Sequence, residues 1–166
     1  MDLLDIKGRI AQALVESIFR RAGFTLTPVG PRDSSSRLGR EELIPDFFAG
    51  RVPPDGKPPD SPARLVEVRY RPQLSQYLAI EDQRGSQSIF AHAKRQWPGL
   101  IFVFVTDHPE PGRSPFQVLD LECWSPGEPV RPVDLFTHPR LDIYRQNVEE
   151  HEVLARRIFA LLTGNP

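Results

Sequence analysis

The chain has 166 residues, enough for one domain with a hydrophobic core and too few for two full domains. Its 21 Lys and Arg residues nearly balance 22 Asp and Glu residues, and the formal net charge of -1 excludes a strongly basic nucleic-acid coat or an acidic tail protein. The single cysteine, Cys123, excludes an intramolecular disulfide framework and a zinc site built from cysteines. Since no apolar run reaches the roughly 18 residues of a membrane helix and no apolar signal segment is present, we expect a cytoplasmic protein.

The first predicted element is a helix over Leu3–Ala22. Isoleucine or leucine recurs every fourth residue along it, at positions 6, 10, 14 and 18, and Gly23 is placed to end it. Three short strands are predicted next, over Phe24–Val29, Leu43–Ala49 and Leu65–Tyr70.

A second helix is predicted over Asp82–Trp97. Leu100–Thr106 is apolar without alternation, which is typical of a central strand covered on both faces. Phe116–Leu121 is a further predicted strand, and Asn147–Leu162 is a predicted C-terminal helix. The predicted fold class is therefore α/β, in the order αβββαββα.

Proline-rich stretches separate these elements at Arg51–Pro62, Pro109–Pro115 and Ser125–Pro132, and we expect surface loops there. None is long enough to divide domains. We therefore predict a single domain over residues 1–166, with its core at about 4–122 and an extension that carries the C-terminal helix, about 147–163.

The charged residues of interest lie on two of the predicted strands. Strand alternation sends Glu67 and Arg69 to the same face of the third strand, opposite an apolar face. Asp46 follows Pro45 in an otherwise apolar segment, where an ionised carboxylate is costly unless a partner compensates it. A divalent cation shared by Asp46 and Glu67 would be such a partner, since Mg²⁺ prefers carboxylate oxygens and keeps several waters.

Pro45-Asp46 followed by Glu67-Val68-Arg69 resembles the motif of the PD-(D/E)XK nuclease superfamily, which has the restriction-endonuclease-like fold. The resemblance covers about two thirds of the chain, from Ile6 to Thr106, and the predicted order of helix, three strands, helix and strand matches. It implies a central mixed sheet flanked by helices. It also implies a metal-dependent endonuclease that uses Mg²⁺ or Mn²⁺ to hydrolyse phosphodiester bonds, with DNA as the expected substrate.

The resemblance implies roles for five residues. Asp46 and Glu67 would bind the metal, and Glu16 on the first helix matches a glutamate that many members add. Arg69 stands where the family has a lysine that positions or activates the attacking water. A guanidinium stays protonated, so Arg69 could orient an oxygen but could not act as a base. Lys94, on the following helix, is a candidate substitute for that lysine.

Each of these residues also has a purely structural interpretation. Glu67 and Arg69 could form a solvated cross-strand charge ladder, and Asp46 after a proline could be a turn residue. Glu16 lies at the margin of the apolar face of its helix, and Lys94 could be an ordinary exposed lysine.

Other constellations are weaker. Gln87, two turns before Lys94, could contact a phosphate or a base, or could simply be exposed. Thr106-Asp107-His108 follows the central strand, where α/β folds often place ligand contacts, although a strand exit explains it equally. Several arginines could contact a nucleic-acid backbone, but acidic residues interleave with them: Arg20, Arg21, Arg32, Arg37 and Arg40.

Two functions follow from the sequence. The first is a Mg²⁺-dependent nuclease in which Asp46 and Glu67 hold the metal and Arg69 orients the water. The second is a catalytically degenerate relative that binds nucleic acid or a protein partner without cleaving it. A homodimer also stays open, because the apolar face of the C-terminal helix suits either the core or a dimer seam.

Overall fold

The computed structural model describes residues 2–29, 43–57 and 63–164. Within these ranges, no helix combines the length and the apolar character needed to cross a membrane. The helices and strands in chain order are α1 (Leu3–Arg21), β1 (Thr25–Pro28), β2 (Phe47–Gly50), β3 (Arg64–Tyr70), α2 (Leu74–Arg84), α3 (Ile89–Gln96), β4 (Ile101–Val105), β5 (Phe116–Asp120), β6 (Val133–Asp134) and α4 (Arg145–Leu162).

The strands form one mixed sheet of six strands in the order β1-β2-β3-β4-β5-β6. Neighbouring strands are antiparallel except β3 and β4, which are parallel. A parallel pair needs a long crossover, and α2 and α3 supply it. The chain is thus an α/β protein with a mixed sheet flanked by helices, as the sequence predicts.

Helices cover the two faces of the sheet unequally. On one face, α1 and α4 pack over β1 to β5 and bury a cluster that includes Val66, Val68 and Tyr70. On the other face, α2 and α3 pack mainly over β4 and β5, around Phe90, Phe102 and Phe104. Every residue of β4 is buried, so the predicted central strand is confirmed.

The predicted helix Asp82–Trp97 is wrong in its bounds, because two helices occupy this region. The first begins at Leu74 and ends at Arg84, where Gly85 adopts a φ of 54° that favours glycine. The second begins at Ile89, after Ser88, whose hydroxyl accepts the Ala91 N–H as a helix N-cap. The observed order therefore has an additional helix, and β6 adds a short strand that the sequence pattern did not predict.

Helix α1 is rotated relative to its predicted apolar stripe. Leu14 and Ile18 are buried as expected, whereas Ile6 and Ile10 are only half-buried. The buried side instead passes through Lys7, because its ammonium finds an acidic partner under the helix.

The C-terminal helix packs on the core, one of the two placements that its sequence allows. Val148, Ala155 and Phe159 of α4 are buried in the cluster that α1 also contributes to. His151 of α4 is buried as well, with its Nε2 2.9 Å from the Ser17 hydroxyl on α1. Burial lowers the pKa of His151, and Arg21 on α1 lowers it further, against the opposing effect of Glu150.

We predict that the α1–α4 contact weakens in mild acid. Since the pKa of His151 is lower in the folded chain, the unfolded chain binds more protons, and the free energy of unfolding falls as the pH drops below about 6.5, the ordinary histidine value. Urea unfolding at pH 7.5 and 5.5 should show a smaller pH effect in His151→Gln than in the wild type. An identical pH dependence in both proteins would exclude this role for His151.

Candidate functional site

Asp46 lies one residue before β2, at a break in the β2–β3 register. Phe47 pairs with Val66, and the Asp46 N–H also donates to the Val66 carbonyl oxygen at 2.9 Å. Two consecutive residues thus face one, the arrangement of a β-bulge, which re-aims a side chain. The Asp46 carboxylate accepts the Val68 N–H through Oδ2 at 2.7 Å. The predicted strand Leu43–Ala49 is therefore too long, because this carboxylate takes the place of a backbone acceptor.

Glu67 and Arg69 form an ion pair on one face of β3. Arg69 Nε lies 3.1 Å from Glu67 Oε1, which confirms that alternation places both side chains together. The Glu67 side chain is only 1% exposed, whereas that of Arg69 is 23% exposed. The carboxylate is therefore buried under a guanidinium that still reaches solvent, and a freely solvated charge ladder does not describe the pair.

Asp46 is bonded to the backbone of the strand that carries Glu67 and Arg69. Asp46 accepts a backbone N–H from Val68, the residue between Glu67 and Arg69, so its carboxylate lies at their level on the neighbouring strand. On the face of Glu67, α2 and α3 cover β4 and β5, while Phe48 of β2 stays 42% exposed. Among the residues that the structure describes, the motif thus lies at the edge of the layer that α2 and α3 form.

Glu16 and Lys94 do not join the Glu67–Arg69 pair. Helix α1 packs on the opposite face of the sheet, and Glu16 contacts Gln12 at 3.1 Å and Arg20 at 3.5 Å on its own helix. The Lys94 ammonium donates to the Trp124 carbonyl oxygen. Glu16 is therefore bonded within its own helix, and Lys94 is bonded to the segment after β5.

The weaker candidates are scattered. Gln87 is exposed, and Arg21 pairs with Glu150 at 2.6 Å across α1 and α4. The remaining arginines that were predicted to contact a nucleic-acid backbone lie outside the described residues: Arg32, Arg37 and Arg40.

The motif carboxylates fit a divalent cation in donor chemistry but form a small ligand set. Within residues 2–29, 43–57 and 63–164, no group of three or more His, Cys, Asp or Glu side chains is arranged to hold a metal ion. Asp46 and Glu67 offer two carboxylates, and Mg²⁺ commonly uses one or two carboxylates plus waters. The Arg69 guanidinium competes with any such cation for Glu67.

A second polar cluster, at the carboxyl ends of β3 and β4, was not predicted as a unit. Lys7 Nζ lies 2.8 Å from Asp107 Oδ2, with side-chain exposures of 5% and 8%. Burial alone would raise the pKa of Asp107, but Lys7, Tyr70 and His108 outweigh it and hold the pKa below its usual value. The same surroundings, burial foremost, raise the pKa of Tyr70. The sequence feature that could have indicated this cluster is Lys7. Its helical spacing from Ala11 and Leu14 places a cation on the buried side of α1.

A third cluster lies at the opposite end of the sheet. Arg64 of β3 contacts Asp120 of β5 at 2.6 Å, and His138 Nε2 lies 3.2 Å from the other oxygen of that carboxylate. Burial opposes the charge on Asp120, yet His138 and Arg64 hold its pKa well below the usual value. Arg64 and Asp120 are far apart in sequence, and no local pattern could have paired them.

In comparisons with known proteins, no family model, no curated protein and no solved structure matches this chain.

We predict that the Lys7–Asp107 pair anchors α1 to the sheet. Lys7→Met keeps most of the aliphatic length and removes the charge, so the buried Asp107 carboxylate loses its ammonium partner and unfolding should become easier by about 3–5 kcal/mol. Urea unfolding measures this change. Combining Lys7→Met with Asp107→Asn should cost less than the sum of the single variants. Arg21→Met, which breaks an exposed pair, is the control and should have a far smaller effect.

Proposed function

We propose that this chain hydrolyses phosphodiester bonds in nucleic acid, expected to be DNA, as a relative of the PD-(D/E)XK nucleases. The observation that supports this most directly is the bond from the Val68 N–H to the Asp46 carboxylate, which holds that carboxylate against the backbone next to Glu67. The succession of α1, β1 to β3, a helical crossover and β4 also agrees with the order that the motif resemblance implies.

Asp46 and Glu67 would hold a Mg²⁺ or Mn²⁺ ion, which supplies a polarised phosphate and a more acidic bound water. The bulge at Asp46 and the burial of Glu67 fix both carboxylates before substrate arrives. Arg69, still partly exposed, would orient the water or stabilise the negative charge that grows on the phosphate. As a permanent cation it cannot remove the proton, so that proton would leave to solvent or to another group.

We predict that millimolar Mn²⁺ or Mg²⁺ raises the melting temperature, because an ion that binds only the folded chain stabilises it. A gain of about 1 kcal/mol corresponds to roughly 2–4 °C for a chain of this size. Asp46→Asn keeps an oxygen that can accept the Val68 N–H and removes the charge, so it should abolish the shift without unfolding the protein. Differential scanning fluorimetry with and without EDTA is the measurement. An unchanged wild-type melting temperature would count against the metal site.

A specific observation favours a second candidate, a nucleic-acid or protein-binding module without cleavage. The guanidinium of Arg69 already lies 3.1 Å from Glu67 and provides the positive charge that the buried carboxylate requires. A second cation nearby would be repelled by it. In this case Arg69 takes the electrostatic place of the metal, and the site would bind a phosphate group through the partly exposed guanidinium alone.

Substitutions at Arg69 separate the two candidates. In a nuclease, we expect Arg69→Ala to remove cleavage of plasmid and single-stranded DNA, and Arg69→Lys to keep or raise it, because an ammonium restores the family pattern. Lys94→Ala should be mild, since its ammonium is bonded to the Trp124 carbonyl oxygen. A damaging Lys94→Ala with a mild Arg69→Ala would instead assign the lysine role to Lys94. If neither the wild type nor Arg69→Lys cleaves with either metal, the nuclease proposal fails and the second candidate, a module that binds without cleavage, is kept.

A further inference from the structure

Phe48 is an exposed aromatic ring next to the motif carboxylates. It lies in the middle of β2, directly opposite Leu65 of β3, and points to the same face of the sheet as Glu67. Its neighbour Phe47 points the other way and is 1% exposed, whereas Phe48 is 42% exposed. The Phe48 ring is thus exposed on the face of the sheet that carries Glu67.

The same face carries guanidinium groups beyond Glu67. Arg69 is partly exposed beside the carboxylate, and Arg71, next in the alternation, stacks its guanidinium on the Tyr77 ring at 4.4 Å. From β2 across β3 to α2, this face therefore carries an aromatic ring, the buried Glu67 carboxylate with Arg69 over it, and then Arg71. An aromatic platform beside cations suits a nucleic-acid strand, whose bases stack on rings while its phosphates contact guanidinium groups.

An apolar partner protein would be a poorer match for this surface. Phe48 is the only large apolar side chain on β2 that is exposed, and charged groups lie immediately beyond it on β3. The charge of Arg69 and Arg71 instead complements a phosphate backbone. The ring lies opposite Leu65, two residues before Glu67, so one strand of nucleic acid could reach both the ring and the metal site that Glu67 would help to form.

We infer that Phe48 stacks on an unpaired base of the substrate, beside the phosphate that a metal ion bound by Asp46 and Glu67 would hold. A base in an intact duplex is already stacked on both sides and offers no free face. The preferred substrate class is therefore single-stranded or frayed nucleic acid. This inference rests on the proposed function and adds a specificity-determining contact to it.

The test compares the binding of three fluorescent oligonucleotides of equal length: a single-stranded thymidine tract, an abasic phosphodiester and a duplex. Fluorescence anisotropy is recorded with Ca²⁺, a larger oxygen-binding cation, in place of Mg²⁺. Phe48→Ala should weaken binding of the single strand roughly tenfold and leave the abasic oligonucleotide unaffected, since stacking of one base is worth about that much. Phe48→Leu, which keeps apolar volume without a ring, should also lose affinity.

A tryptophan at this position provides an independent readout. Phe48→Trp should keep or improve the affinity, and its fluorescence should be quenched by the single strand and not by the abasic oligonucleotide, beyond any change in the wild type with Trp97 and Trp124 alone. Leu161→Ala, an exposed apolar residue on α4, is the control and should bind as the wild type does.

The outcomes distinguish this inference from the function on which it rests. If the wild type binds nucleic acid and Phe48→Ala binds equally well, or loses affinity for the abasic oligonucleotide to the same extent, base stacking at Phe48 is refuted and the proposed function stands. If the wild type binds none of the three oligonucleotides, both fail together.

Discussion

A carboxylate that has left water needs compensating positive charge, and the motif strand is organised around this requirement. Glu67 is almost completely buried at the border of the helix layer, and Arg69 reaches it because strand alternation directs both side chains to one face. The guanidinium remains partly exposed, so the charge that stabilises β3 is also the charge that a phosphate would meet. Stability and any activity of this site therefore depend on the same ion pair.

Buried ion pairs also connect distant segments at both ends of the sheet. Lys7 of α1 meets Asp107 after β4, and Arg64 at the start of β3 meets Asp120 at the end of β5. Each pair joins segments that are far apart in sequence. Such pairs add less net stability than apolar packing would. Removing one partner is nevertheless costly, because the other charge then stays buried without a compensating charge. They therefore specify how α1 and the strand ends are positioned, while Phe48, between the two ends, stays exposed.

Local pattern was sufficient for some elements and misleading for others. The unbroken apolar run of β4 predicts a central strand because burial on both faces leaves no room for alternation. The helix predicted over Asp82–Trp97 was wrong because Gly85 and Ser88 interrupt it, and its true start at Leu74 lacks a capping side chain. The helical period of α1 was correct and Leu14 and Ile18 are buried as predicted, but the first turns bury Lys7 and Ala11 in place of Ile6 and Ile10, and Lys7 is paired there with the distant Asp107.

The sequence by itself determined the α/β class, the central strand and the pairing of Glu67 with Arg69, because each depends on residues within a few positions of one another. Only the tertiary structure decided which distant groups share a site. It brought Asp46 to the backbone beside Glu67 through a bulge, bonded Glu16 within α1 and Lys94 to Trp124, and left Phe48 exposed. These outcomes depend on strand register and on the extent of the helix layer, and both are set by contacts between segments that no local pattern records.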